Sequence, residues 1–282
     1  MNNSPIKIGI IITSLKSPEA TTLKYLVLYQ NTLQSSIEFQ FLPVPEDAEV
    51  LIKLNSSKLL NRKEINRDIN NYTIEYKDWL DDKANSYGLI QEAIDGIIIV
   101  SMAKFSDGYY MTRVNNWAVF ALGHWEPYMA PPSVLEFILT LIIQFSTYIA
   151  CKGSKSVHHN ATKGCIFDFT YQLDEARYKS LTGFVCYKCA NMIKMACSAN
   201  LFNDIKTLLN KGWLGNITEP SIISTTAKKL GYDLFHTKGI TPTTLERLKQ
   251  IFEVEGVKNL LLIISSVIIA TLILLLGLKK FP

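Results

Sequence analysis

Two periodicities of apolar positions divide the chain. "IKIGIIITSL", from Ile6, is a near-continuous apolar run and predicts a buried strand. Residues Thr21 to Gln34 place Leu23, Leu26, Val27 and Tyr29 at helical spacing, and "IEFQFLPVP" alternates Ile37, Phe39 and Phe41 as a second strand. A strand, a helix and a strand in that order predict a right-handed βαβ opening. From Asp47 to Lys83 the chain is polar and charged and predicts one or two surface helices. "DGIIIVSMAKF", Asp95 to Phe105, predicts a third strand, and "YYMTRVNNWAVFAL" a fourth.

"PPSVLEFILTLIIQFSTYIA", Pro131 to Ala150, opens on two prolines and is interrupted by Glu136, Thr140, Gln144, Ser146 and Thr147. It predicts a central core helix rather than a membrane span, because Glu136 is costly in lipid. "YKCANMIKMACSANLFNDIKTLLNKGWLG" predicts helix, with Met192, Met195 and Ala199 on a packing stripe that Leu201 to Leu209 extend. Short helices follow, Thr243 and Glu246 being spaced as a capping box. "NLLLIISSVIIATLILLLGL", Asn259 to Leu278, carries no charge, and 20 helical residues rise about 30 Å, the thickness of a bilayer core. Lys258, Lys279 and Lys280 flank it. The reading is therefore an α/β (α+β) domain, a mixed sheet with helices, plus one C-terminal transmembrane helix. Its divisions are a cytosolic domain over 1–213, a helical linker over 214–257 and a tail anchor over 258–282.

Composition changes this picture little. The 282 residues are 48% apolar and 19% charged, which fits a packed domain and excludes compositional disorder. A net charge of +4, from 29 basic and 25 acidic side chains, is too slight for a nucleic-acid surface, so no nucleic-acid partner is expected. The short apolar run near the start reads as a strand, so no secretory signal is expected, and the expected location is the inner membrane, single-pass, with the bulk cytoplasmic. In such a compartment a close pair of cysteines predicts metal ligation rather than a disulfide.

Cys186 and Cys189 form a C-x-x-C pair, and Cys165 lies 21 positions earlier, after His158 and His159. Two close thiolates with a distant Cys and His suit tetrahedral zinc. The predicted structural zinc knuckle spans 158–189, with ligands His159, Cys165, Cys186 and Cys189. His158 is the alternative fourth ligand, and Cys151 a weaker one.

This stretch resembles the archaemetzincins, zinc-dependent metzincin peptidases. In that family an H-E-x-x-H-x-x-G-x-x-H active site runs into two cysteines, a Met and a C-x-x-C pair. His159, Cys165, Cys186 and Cys189 fall on the pattern, and the preceding strands and helix resemble the metzincin layout. The departures carry more weight. Ile149 and Ala150 stand where the first His and the catalytic Glu belong, Gly153 where the second His belongs, Asn160 at a thiolate position and Phe167 at the Met. Metzincin chemistry needs three imidazoles and a carboxylate around an open zinc, so the resemblance implies a zinc domain without catalysis.

Glu136, His124, Asp168, Asp174 and His236 remain as candidates for other chemistry. His124 reads as a satisfied imidazole in a turn, and Asp168 and Asp174 as caps of a turn and a helix. Neither G-x-S-x-G nor H-E-x-x-H nor a Gly-rich phosphate loop occurs. The expected function is a membrane-anchored, non-catalytic sensing or interaction domain, of the design used by bacterial defence or stress effectors that perturb a membrane. Its expected partners are the bilayer and a protein or a second copy of the chain. The alternative is a membrane-bound zinc hydrolase.

Overall fold

A computed structural model describes residues 4–56, 58–151, 164–236, 244–252, 256, 262–269 and 271–272. The chain divides into two compact units, Met1–Ile240 and Thr241–Pro282.

The first unit is built on a five-stranded sheet in the order β2-β1-β4-β7-β6. Strands β1 (Ile6–Ile12), β2 (Ile37–Phe41), β4 (Gly96–Ser101) and β7 (Trp117–Ala121) are parallel, and β6 (Met111–Val114) runs antiparallel to β7. Helix α1 (Ser17–Leu33) makes the predicted βαβ crossover, and β3 (Leu59–Leu60) pairs with β5 (Lys104–Phe105) in a separate parallel ribbon. The central strands are apolar on both faces because both are covered. Ile8, Ile10, Ile98, Val100 and Phe120 enter one core, whereas Ile11, Ile97, Ile99, Trp117 and Val119 enter another. That division is the period of two of a strand, read through a sheet with two packed sides.

Helices α2 (Glu49–Leu54) and α3 (Arg62–Ser86) supply one core through Leu51, Leu54, Ile65, Ile69 and Tyr76. The other core takes α1, α4 (Val134–Ala150), α5 (Leu173–Thr182), α6 (Tyr187–Ala196) and α7 (Ala199–Asn210). Helix α8 (Ile222–Lys229) follows them within the same unit.

The expected fourth strand over 109–122 is two strands, β6 and β7. Asn115, at φ +54, turns the chain between them, a conformation that Asn tolerates better than most residues. Helix α4 is the predicted core helix. Ser133 and Glu136 form a reciprocal capping box at its start, so the prolines precede the helix instead of opening it. Its polar interruptions are paired: Ser146 and Thr147 donate to Ile142 O and Ile143 O at 2.7 Å, and Thr140 Oγ1 lies 2.8 Å from Ser180 Oγ.

In the second unit α9 spans Thr244–Ile251. Thr243, half of the predicted capping box, lies outside the described residues, as do 259–261, 270 and 273–278 of the C-terminal apolar run. Residues 262–269 are helical, a rise of about 12 Å against about 30 Å of hydrocarbon. Helix α4, the most apolar long helix, has 17 residues and is packed among the others. Among the described residues no helix is long and apolar enough to cross a membrane. The mixed α/β sheet is compatible with the expected class, but the C-terminal transmembrane helix over 258–282 and the single-pass, tail-anchored location at the inner membrane are corrected by this finding.

Candidate metal centre

The thiol group is assembled where two chain reversals meet. Helix α5 ends at Gly183, which adopts φ +56, and a Cβ there would lie 2.7 Å from Leu209 O. Only glycine accepts both the left-handed turn and that approach. The chain then pairs with the segment after Cys165, Ile166 N–H donating to Phe184 O at 2.9 Å. Cys186 becomes the N-cap of α6 and Cys189 its third residue. The C-x-x-C spacing thus folds both thiols back onto Cys165, and the sulfurs of Cys165, Cys186 and Cys189 all lie within 4.8 Å of one another.

Cys165 and Cys189 are fully buried and Cys186 partly so. Cys186 N–H donates to Cys165 Sγ at 3.4 Å, and Cys189 N–H to Cys186 Sγ at 3.5 Å. Backbone donors and the positive end of α6 favour thiolates. Against this, the neighbouring sulfur and burial raise the Cys189 thiol: the hydrogen bond with Cys165 contributes most, burial next. The Cys189 thiol therefore keeps its proton until a divalent cation displaces it, and the three converging sulfurs are able to hold a metal ion.

Surrounding side chains fix the loop that carries Cys165. Asp168 Oδ2 accepts Cys165 N–H at 3.2 Å, Gln144 Nε2 of α4 donates to Ile166 O at 2.8 Å, and Lys179 Nζ of α5 donates to Asp168 O at 2.6 Å. These contacts tie the thiol group to the core helix.

Three of the four predicted ligands, Cys165, Cys186 and Cys189, come together; His159 lies outside the described residues, with His158 and Gly153. Cys151 is absent from the thiol group. It pairs instead with Cys197, a residue the sequence reading passed over, at 3.0 Å between sulfurs. The two are 46 positions apart with no local signal to join them.

The other candidates hold structural positions. Glu136 accepts Ser133 N–H in the capping box at 2.9 Å, and His124 Nε2 lies 3.2 Å from Phe105 O, as a turn imidazole would. Asp168 caps its turn as predicted. Asp174 does not cap α5: the N-cap is Gln172, without a side-chain bond, and Asp174 sits in the first turn. Ile149 packs on the sheet, where a Cβ on Gly96 would lie 2.9 Å from its Cγ1.

Fold and site together define an α/β domain with a buried group of three cysteines. Comparison of the chain with protein families, curated proteins and solved structures finds no match.

Proposed function

We propose that this chain is a non-catalytic interaction domain whose fold is completed by a structural zinc ion. The carrying observation is the convergence of Cys165, Cys186 and Cys189 within 4.8 Å in a buried setting. Soft thiolates at this density select zinc over hard cations, and His159 or His158 would supply the fourth ligand and close the site to water. The chemistry zinc supplies there is cross-linking, joining the Cys165 loop to the start of α6.

Two further observations support the reading. Ile149 and Ala150 end α4 with apolar side chains where the metzincin resemblance needs an imidazole and a carboxylate, in keeping with descent from such an enzyme and loss of its reaction. On α5, α6 and the turn between them Tyr178, Leu181, Phe184, Tyr187 and Met195 are all exposed. Large apolar side chains left in solvent on consecutive elements are the kind that a protein partner or a second copy would cover.

Metal analysis of the purified chain and X-ray absorption at the zinc edge test the proposal. About one zinc per chain with a sulfur-rich first shell is expected. Cys186→Ser and Cys189→Ser should each lose the metal and destabilise the packing of α5, α6 and the Cys165 loop, because metal binding at such a site contributes directly to folding. Unchanged metal content in either variant, or an oxygen-rich shell with a bound water, would overturn it.

A further inference from the structure

On the sheet face opposite the thiol group, α2 and α3 enclose a cavity of about 550 Å³. One wall is aromatic. Tyr72, Tyr76 and Trp79 succeed one another along α3, with ring centroids 5.3 Å apart for the first pair and 5.8 Å for the second, the latter stacked at 22°. The rim is acidic. Asp47, Glu49, Asp68 and Glu75 line the cavity against a single cation, Lys53, which is held by Asp68 at 2.9 Å. Three carboxylates are thus in excess at this cavity, on a chain whose net charge is +4.

Among the lining residues, Tyr72 carries a buried hydroxyl that is left unpaired. Tyr72 is 7% exposed, and its hydroxyl is buried without a hydrogen-bond partner among the described residues, although Tyr76 beside it donates to Pro43 O at 2.6 Å. Burial first, and then the carboxylates of Asp47 and Glu75, hold the Tyr72 phenol in its protonated form. A buried hydroxyl left unpaired is unfavourable, and two carboxylates near it favour an N–H donor over an anion.

The carboxylates do not converge on one point. Among the described residues the thiols alone bring three or more potential ligand atoms within 4.8 Å, so no three of these carboxylates are placed to share one ion. Spaced carboxylates suit a cation whose charges are spaced too, and aromatic faces attract ammonium groups. A quaternary ammonium has no N–H for the Tyr72 oxygen, whereas a protonated amine does.

We propose that this cavity binds a linear polyamine, with ammonium groups paired to Asp47, Glu49 and Glu75, methylene segments against the partly exposed Trp79 ring, and an N–H directed to the Tyr72 hydroxyl. The site is separate from the thiol group and does not depend on the zinc reading.

Calorimetric titration of the full chain with spermidine tests it, at about 0.15 M ionic strength, where charges more than about 8 Å apart are screened. Saturable binding at one site is expected. Glu75→Gln and Tyr72→Phe should each weaken it about tenfold, the cost of one charge-assisted hydrogen bond. Asp78→Asn, on the same helix but outside the cavity, should leave it unchanged. Glu75 is exposed, so its variant keeps the fold whatever Tyr72→Phe does. No saturable binding, equal weakening by Asp78→Asn, or displacement of spermidine by magnesium at equal charge concentration would overturn the proposal. So would equal binding of tetramethylammonium, or tighter binding of N-acetyl-lysine amide, which stands for a partner protein's lysine.

Discussion

Lys211 shows how a single residue converts burial into pH dependence. It ends α7 in the left-handed conformation, φ +49, and its ammonium donates to Ser180 O at 2.8 Å and to Ser180 Oγ at 3.0 Å. Burial lowers its pKa from 10.5 to about 8, offset in part by Glu136. Between those values the unfolded chain holds a proton that the folded chain has released. Unfolding free energy therefore rises with pH across that window, by at most about 3 kcal/mol, and the destabilisation is fully present below the folded pKa. Urea titrations of the wild type and Lys211→Met check this. The wild type should gain on the variant as pH climbs from about 8 to about 10. A difference that stays flat over that range would show that the ammonium is solvated.

At the scale of an element, the turn between α5 and α6 decides whether the C-x-x-C pair is usable. Gly183→Ala puts a Cβ in the left-handed region and 2.7 Å from Leu209 O. The helix end must shift or α7 must retreat, and either displaces Cys186, three residues on. A loss of about 1–3 kcal/mol in stability and a clear fall in metal retention against a chelator are expected together. Loss of stability with metal retention unchanged would mean that α6 holds its own start without the turn.

This level of organisation was legible unevenly. The C-x-x-C pair and Cys165 could be read because a metal site repeats a short local pattern. Helix α4 was legible because its apolar run is too long for a strand. The β6–β7 hairpin was not, since "YYMTRVNNWAVFAL" is apolar through the turn and only Asn115 and Asn116 mark it. Asp174 has the residue type of a cap, but the helix begins one residue before it, at Leu173. The Cys151–Cys197 pair and the supporting bonds from Gln144 and Lys179 join positions brought close by tertiary packing alone. The C-terminal run misled because hydropathy reports what a segment could cross, whereas the described residues contain no helix that does so.

For the first compact unit as a whole, the sheet divides stability into two accounts. One core packs α2 and α3 on β1, β4 and β7; the other holds α1 and α4 to α7, with Cys165 and Cys189 among its buried residues. On the proposed metal reading, removing the ion should loosen the second core at its edge, because α5, α6 and the Cys165 loop contribute few large buried side chains besides Ile166, Phe167, Leu173 and Ile193. The first core contains no cysteine and has its own aromatic cluster, with Tyr76 and Trp117 packed edge-to-face at 5.6 Å. Hydrogen exchange with and without a chelator separates the two. Amides of α5, α6 and residues 164–168 should exchange much faster once the metal is removed. Those of β1, β4 and α3 should keep their protection, since local opening follows contiguous cooperative units. Uniform loss of protection would instead make the metal the keystone of the entire unit, and no change anywhere would leave the three thiols as ordinary core residues.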